Sequence, residues 1–224
     1  MPPAKSIPKR LETKRLILRL PRLRDAERHI AEVRLSIKRL APWIPWAKKK
    51  PTLAGSRWYC RRAIKRHRRK EGIDFFVFTK ESGDLIGGIG LHRIDWSVPK
   101  LEIGYWISTR CEGRGYVTEA VRALTDYAFR KLGAVRVELL CDSRNVRSRR
   151  VATRTGYRLE GTHRFARLNN AGKHCNMCVF AQTRPPRAKH SSRSASHTAR
   201  SRRRISDRRT SRPARSDGSR RTSV

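Results

Sequence analysis

The sequence has few acidic residues and no long apolar run. Asp and Glu make up 18 of its 224 residues, against 55 Lys and Arg, which leaves a formal net charge of +37. No run of 18 apolar residues is present, so no membrane span is expected. The start, "MPPAKSIPKRLETKRL", lacks the apolar stretch of a secretory signal. The five cysteines are an odd number at irregular spacing, which indicates free thiols in a reducing, cytoplasmic protein.

The last 41 residues lack the side chains of a folded core. Residues 184–224 contain no Leu, Phe, Tyr or Trp, and they hold fourteen Lys or Arg. Such a segment cannot bury enough apolar area to offset its conformational entropy, so we expect it to be disordered. Its composition fits a nucleic-acid tether, and it equally fits a solvated extension with no selected role. We predict a flexible start over residues 1–10 and one folded domain over residues 11–183.

The excess of positive charge extends beyond this tail. Residues 1–183 carry a net charge of +25 by themselves. The segment "RRAIKRHRRK" (Arg61–Lys70) holds seven Lys or Arg in ten residues. A surface of this charge attracts polyanions, so we expect contact with nucleic acid or ribosomes. Charge alone indicates neither the fold nor the chemistry.

Strand-like and helix-like patterns alternate along the domain. Period-two alternation predicts a strand at Arg15–Leu20, and helical spacing follows in Arg22–Ile37. A second helix is predicted over Leu53–Lys70, then a hairpin around "ESGD" and a strand at Lys100–Ser108. With the segments that follow, the predicted order is β-α-α-β-β-β-α-β-α-β-β, which indicates a mixed α/β fold.

The stretch "RCEGRGYVTEA" combines a glycine turn with the start of a helix. Gly113 and Gly115 allow several backbone N–H groups to point inward without Cβ clashes. The following helix adds the positive end of its dipole, and Arg110 and Arg114 add mobile charge. This arrangement would suit a pyrophosphate, although a plain strand-to-helix turn could have the same sequence. It is no P-loop, because the G-K-[ST] ending is missing.

Arg110-x-x-Gly113-x-Gly115 resembles the R/Q-x-x-G-x-G/A motif with which GNAT acetyltransferases hold the pyrophosphate of acetyl-CoA. "LETKRLILRL", "LEIGYWIS" and "NVRSRRVATRTGYRLEG" look like the first strand, the central strand and the N-x-x-S…G-[FY] segment of that family. The sequence of these segments, together with "APWIPW", is most similar to the branch that acetylates the N-terminal alanine or serine of ribosomal proteins. The resemblance implies a mostly antiparallel GNAT-like sheet with flanking helices and a splayed strand pair.

The resemblance also implies a binding site for acetyl-CoA as co-substrate. Its pantetheine arm would pair with free backbone groups of the splayed central strand, as an added strand would. The implied binding residues are Trp106, Ile107, Arg110, Cys111, Glu112, Gly113, Arg114, Gly115 and Asn145. Of these, Glu112 places a carboxylate near the phosphates, which is a mild conflict.

Two residues are candidates for acid–base catalysis of transfer to a primary amine. Glu102 shares a strand face with Gly104 and Trp106. Related lysine acetyltransferases carry a base glutamate at a similar position, so Glu102 is the candidate base, directly or through water. It could equally be a strand-end carboxylate paired with an arginine. Ser148 is the candidate acid by resemblance, and with Asn145 it could also be a helix cap with a first-turn serine.

Two positions depart from the resembled pattern. Arg147 stands where the family usually has a small residue. The branch places a glutamate base in the late strand near "RFARLNNAG", where this chain offers Ala166, Arg167 and Leu168. Either Glu102 and water suffice, or activity is weak, or the acceptor is a different amine.

Metal and pocket signals are weaker. Cys175 and Cys178 form a lone C-x-x-C whose cysteines would face opposite sides of a strand, so no metal is expected. The tryptophans Trp43, Trp46 and Trp58 could form the wall of an acceptor pocket, and loop packing explains them at least as well.

Three functions fit these observations. The first is N-acetyltransfer from acetyl-CoA to a protein N-terminal Ser or Ala. The second is acetylation of a small-molecule amine such as a polyamine, antibiotic or toxin. The third is a weakly catalytic GNAT fold that binds RNA or ribosomes through its basic surface and tail.

Deleting residues 185–224 is expected to weaken RNA binding and to leave acetyl transfer to a short peptide intact. The tail has no aromatic residue for base stacking, so binding should be almost purely electrostatic. Affinity should fall on the order of 10³-fold between low and moderate salt if six or more phosphates are neutralised. Titration of RNA by fluorescence anisotropy over a salt series checks this. Salt-insensitive binding, or loss of peptide acetylation on truncation, would contradict it.

Overall fold

An eight-stranded sheet lies at the centre of the protein. The computed structural model describes residues 7–184, so the predicted basic tail lies outside the described residues. The strands are β1 (Arg10–Glu12), β2 (Leu16–Arg19), β3 (Ile73–Thr79), β4 (Leu85–Asp95), β5 (Lys100–Ile107), β6 (Arg136–Asp142), β7 (Arg158–Leu168) and β8 (His174–Thr183). Their order in the sheet is β1-β2-β3-β4-β5-β6-β8-β7. Neighbouring strands are antiparallel except for β5 and β6, which are parallel.

Four helices cover the sheet: α1 (Ala26–Leu40), α2 (Leu53–Arg68), α3 (Tyr116–Tyr127) and α4 (Val146–Arg154). Thr52 caps α2 by accepting a hydrogen bond from the Gly55 N–H, as its position before the helix predicts. A π-helical turn extends α3 to Leu132 and ends at Gly133, whose left-handed φ of 76° favours glycine. All four helices agree with the helical spacing in the sequence.

The two faces of the sheet have separate apolar cores. On one face Leu101 and Ile103 of β5 pack with Val121 and Leu124 of α3. On the other face Trp106 of β5 joins a cluster of residues from α1, α2 and β3. Because successive side chains of a strand alternate between faces, β5 contributes to both cores. The residues of β5 therefore reach both surfaces of the sheet at the same place.

β5 and β6 pair over a short distance and then part. Their register runs from Lys100 opposite Arg136 to Glu102 opposite Glu138. From Ile103 onwards β5 has β4 on one side and, among the described residues, no strand on the other. β6 pairs with β8 along its whole length. This confirms the mostly antiparallel mixed sheet and the splayed strand pair that the resemblance implied.

The start of the folded body needs correction. The sequence predicted flexible residues 1–10 and one first strand, but a short strand β1 precedes β2 and begins at Arg10. Ile7 is buried in the core beside β2, and the Leu20 N–H donates a hydrogen bond to the Lys9 carbonyl. One apolar side chain and a three-residue strand are too short to give a periodic signal.

The sequence predicted free thiols and no membrane-spanning segment. All five cysteines are buried and free of disulfides. None of the helices within residues 7–184 has the length and apolarity to cross a lipid bilayer.

Replacing Leu124 with Ala is expected to destabilise the protein by about 2–5 kcal/mol, because it leaves a cavity between α3 and the sheet. Leu124 is 0% exposed, whereas Leu35 on α1 is 58% exposed and provides a matched control. Leu35→Ala should change the free energy of unfolding by no more than about 0.5 kcal/mol. Urea unfolding of both variants measures the difference. Equal effects would contradict the placement of α3 against the core.

Candidate active site

A loop with two left-handed glycines joins β5 to α3. After a 3-10 turn at Thr109–Cys111, Gly113 and Gly115 both have φ of 77°. A Cβ at Gly113 would meet no atom within 4 Å, so the space above it is open. The backbone N–H groups of Gly113, Arg114, Gly115 and Tyr116 donate no hydrogen bond within residues 7–184. Together with the N-terminus of α3 they form a cradle that fits an anion.

Arg110 fixes the first side of this loop to α1. Its Nη2 lies 2.5 Å from Oε1 of Glu32, and Nε also donates to that carboxylate. Beside it, the Thr109 N–H donates to Oγ of the buried Ser36 at 3.0 Å. The predicted phosphate ligand Arg110 therefore has its guanidinium occupied by α1. Its observed role is to hold the loop, and phosphate contact by this side chain stays a prediction.

Arg15 fixes the other side of the loop to β2. Its Nη1 donates to the Arg114 carbonyl at 3.0 Å, and its Nε lies 2.7 Å from Oε2 of Glu119 on α3. The guanidinium carbon also lies 4.6 Å from the ring centre of Tyr116. Glu119 accepts a further bond from the Thr13 hydroxyl. The loop is thus tied to two different parts of the chain, and its N–H groups stay in place without a ligand.

The carboxylate of Glu112, which conflicts with nearby phosphates, is neutralised. Its Oε2 pairs with Nη1 of Arg147 on α4, and Nε of Arg39 lies 3.6 Å away. The conflicting carboxylate of Glu112 and the departure at Arg147 therefore compensate each other. Cys111 is buried beneath the loop, so only its backbone is available to a ligand.

On the α3 side of the sheet, Ser148 lies next to a tyrosine that sequence analysis missed. The hydroxyls of Tyr105 and Ser148 are 2.7 Å apart. Asn145 caps α4 by accepting the Ser148 N–H at 3.1 Å. Burial raises the pKa of Tyr105, so its hydroxyl remains protonated and can donate a hydrogen bond to Ser148. The alternation of β5 could have indicated this residue, because Tyr105 lies three positions from Glu102 and therefore on the opposite face of the strand.

Glu102 lies on the opposite face from Ser148. It shares that face with Gly104 and Trp106, as the alternation predicted, and its Oε2 is 3.3 Å from Nη1 of Arg93. Burial raises the pKa of Glu102, while the charges of Arg93 and Arg167 act in the opposite direction. The two catalytic candidates therefore approach the parting of β5 and β6 from different sides of the sheet.

The tryptophans differ in their surroundings. The ring of Trp46 meets the ring of Trp106 edge to face at 6.2 Å between centroids. Trp58 is 58% exposed on α2, under the guanidinium of Arg62. The Trp43 carbonyl accepts a bond from Nη2 of Arg167. Trp46 is thus the member of the set that borders the buried Trp106.

Metal ligands do not gather in this region. In the described part of the chain, no group of three or more His, Cys, Asp or Glu side chains is placed to hold a metal ion. The chemistry that the site offers is that of hydroxyl, carboxylate, imidazole and backbone N–H groups.

Comparison with known families gives one match over most of the domain. The sequence profile of the "Acetyltransferase (GNAT) domain" family matches residues 15–158. This span includes the anion cradle, β5, and the helix that carries Ser148.

Three similar proteins with acetyltransferase names illustrate the match in sequence and in fold. The chain is 34% identical over 170 residues to the "Putative ribosomal N-acetyltransferase YdaF" of Bacillus subtilis, covering 74% of this chain and 90% of the relative. Its fold resembles that of the microcin C7 self-immunity acetyltransferase MccE, solved with acetyl-CoA and AMP, with a TM-score of 0.73 at 20% identity over 81% of this chain and 99% of that one. It also resembles RimL, the ribosomal L7/L12 alpha-N-protein acetyltransferase solved with coenzyme A, with a TM-score of 0.72 at 21% identity over 79% and 97%.

Replacing Arg147 with Gln is expected to weaken acetyl-CoA binding roughly three- to fivefold, because Glu112 then faces the phosphates with less compensation. The loss should be smaller in a Glu112→Gln background, where no carboxylate needs compensation. Isothermal calorimetry of the four proteins in this double-mutant cycle measures the coupling.

Arg150→Gln is the matched control, since it removes the same charge from an exposed position of the same helix. Its effect on acetyl-CoA affinity should be below twofold. Equal losses from Arg147→Gln in both Glu112 backgrounds would show that Arg147 does not act through Glu112.

Proposed function

Because the chain belongs to the GNAT acetyltransferase family, we propose that it transfers the acetyl group of acetyl-CoA to the N-terminal amine of a protein that begins with Ser or Ala. The observation that carries this proposal is the parting of β5 and β6 beside the anion cradle. The open edge of β5 offers backbone groups to an extended ligand, and the anion cradle offers N–H groups to phosphates.

The residues of the parting fit acetyl-CoA as a co-substrate. The open edge of β5 at Trp106 and Ile107 would pair with the pantetheine arm as a further strand does. The backbone of Glu112–Gly115 would hold the pyrophosphate, and the side-chain amide of Asn145 has donors left over from its capping bond. Bound in this way, acetyl-CoA supplies the thioester carbonyl that an amine attacks.

The chain's own residues would manage the protons. Ser148, whose hydroxyl lies 2.7 Å from that of Tyr105, would protonate the departing thiolate. The N–H groups along the open edge of β5 would stabilise negative charge on the carbonyl oxygen. Glu102, on the other face, lies where a cationic amine would approach, and its carboxylate attracts that charge.

The choice of a protein N-terminus rests on sequence similarity. The relative named as a putative ribosomal N-acetyltransferase aligns over 90% of its own length. The likeness to the microcin immunity enzyme concerns the fold, since its identity is 20%. A small-molecule amine is the second candidate acceptor. Peptides and small amines should therefore be compared as acceptors in the same assay.

The wild-type protein is expected to acetylate the α-amine of peptides that begin with Ser or Ala in preference to internal lysines and to polyamines. Gly113→Val should weaken acetyl-CoA binding tenfold or more, about 1.4 kcal/mol, because its side chain fills the open space where phosphate must approach the backbone. Mass spectrometry of the peptides and calorimetry of acetyl-CoA binding measure the two effects.

Gly172→Val is the matched control, since Gly172 has a φ of 75° and open space around its Cβ position but lies in the β7–β8 turn. Its backbone strain is the same and its acetyl-CoA affinity should be unchanged. A folded Gly113→Val protein with normal affinity would refute the cradle. Turnover of polyamines alone would replace the protein acceptor with a small amine.

A further inference from the structure

The ring of His92 occupies a site that two glycines leave free. His92 on β4 lies opposite Glu102 on β5, and in the next row of the same face Gly90 lies opposite Gly104. A Cβ on Gly90 would come within 2.9 Å of the ring, and a Cβ on Gly104 within 3.4 Å. A Cβ on Gly90 would also clash with the Ile73 carbonyl oxygen, so both the neighbouring strand and the ring require glycine here. The sequence "GGIGLHRI" thus makes room for this ring beside β5.

A buried carboxylate holds one edge of that ring. Nδ1 of His92 lies 3.6 Å from Oδ1 of Asp74 on β3, which is a charge contact at this length. The other oxygen of Asp74 is held by Nη1 of Arg66 at 2.8 Å, and that guanidinium also approaches Nδ1 to 3.4 Å. Arg66 can only donate and so favours a lone pair on Nδ1, whereas the carboxylate favours a proton there. The tautomer that points its proton at Asp74 leaves the lone pair on Nε2, and the proposed proton transfer uses this tautomer. Nε2 has no hydrogen-bond partner within residues 7–184.

The ring also stands beside the place where β5 and β6 part. Pairing between those strands stops at Glu102, so Gly104 is the next residue of this face and borders the opening. Cδ2 and Nε2 of His92 lie 3.4 and 3.6 Å from the Cβ position of Gly104. The side chain of His92 is about one-third exposed. A water molecule or an amine in the opening can therefore reach the imidazole.

The competing carboxylate is less suited to take a proton. Arg93 pairs with Glu102, and Arg167, at the late-strand segment that has no glutamate, also acts on it electrostatically. Burial and the charge of Glu138 raise the pKa of Glu102, whereas both cations stabilise its ionised form and limit that rise. An imidazole has an ordinary pKa closer to neutrality than a carboxyl, which matches a general base better to that range.

We propose that His92, oriented by Asp74, accepts the proton of the acceptor amine, directly or through one water molecule, while Glu102 attracts the ammonium group. This inference rests on the proposed acetyl transfer. The protonated amine gives one proton to Nε2, which releases it to solvent. The nitrogen lone pair forms the C–N bond with the carbonyl carbon, and the C–S bond breaks with its electrons on sulfur. The nitrogen loses its second proton to solvent. The thiolate gains one proton from Ser148 and Tyr105, which recover it from solvent, so one proton is released per transfer.

The charges around His92 set the direction of its titration. Burial lowers the pKa of His92; the charge of Asp74 raises it, and Arg66 and Arg62 of α2 and Arg93 of β4 lower it. Glu102 faces the ring from β5. The net lowering keeps the imidazole neutral near pH 7, which is the form that accepts a proton. Activity should therefore rise with pH through the pKa of His92.

His92→Gln is expected to lower kcat about 10²-fold, to remove the acidic limb of the pH profile, and to leave acetyl-CoA affinity within about twofold. Glu102→Gln should instead raise the KM for the peptide and keep the limb. His174→Gln, at the exposed start of β8, is the matched control and should behave as wild type. Steady-state kinetics with one Ser peptide from pH 5 to 9 and calorimetry give these readouts.

A second variant tests the titration without touching the ring. Arg62 is exposed and its charge lowers the pKa of His92, so Arg62→Gln should raise that pKa at low salt. NMR titration of the His92 ring protons in the free protein measures the shift directly. The kinetic limb should move to higher pH by a similar amount.

Normal kcat and an unchanged limb in His92→Gln would overturn the proposal, and so would an NMR shift in Arg62→Gln that the kinetic limb does not follow. A His92→Gln protein that fails to fold leaves the Arg62→Gln comparison as the deciding test. An inactive wild-type protein that binds acetyl-CoA and shows the NMR titration would instead refute the proposed acceptor.

Discussion

The separation of β5 from β6 is the constraint on which the rest of the site depends. β6 forms its full antiparallel ladder with β8, so it stays with that hairpin while β5 stays with β4. A backbone edge buried without partners is costly, since each unpaired group loses its hydrogen bond to water. The open edge of β5 faces the gap between β5 and β6, and an extended ligand in that gap would restore the missing hydrogen bonds. A ligand with its own amide groups would satisfy the same donors and acceptors.

The anion cradle next to this gap is held by charges at some distance in the chain. Arg110 reaches Glu32 of α1, and Arg15 reaches the Arg114 carbonyl and Glu119. These contacts pair the two arginines with carboxylates of α1 and α3. They also fix a glycine loop that would otherwise lose conformational freedom on binding. The loop is preorganised by ion pairs at its two ends, and its own backbone is left for the ligand.

The division of the sheet into two faces separates the proposed proton donor from the proposed proton acceptor. Tyr105 and Ser148 lie on the α3 side, while Glu102 and His92 lie on the side of α1 and α2. Adjacent positions of one strand point in opposite directions, so β5 serves both groups. A thioester in the gap would be approached by the acceptor amine from one side and would release its thiolate toward the other.

The sequence alone determined the elements and the turn chemistry of this protein. Period-two and helical spacing depend only on neighbours in the chain, so β5 and α3 were predictable. A left-handed loop position favours glycine whatever surrounds it, so the role of Gly113 in the turn was predictable too. The splayed strand pair was predicted from the family resemblance. The three-residue β1 was too short to detect. Tertiary structure decided which side chains meet. Three contacting pairs are far apart in the sequence: Arg110 and Glu32 by 78 residues, Tyr105 and Ser148 by 43, and Glu112 and Arg147 by 35. These partners depend on strand order and register, which bring distant residues together and which no local pattern in the sequence records.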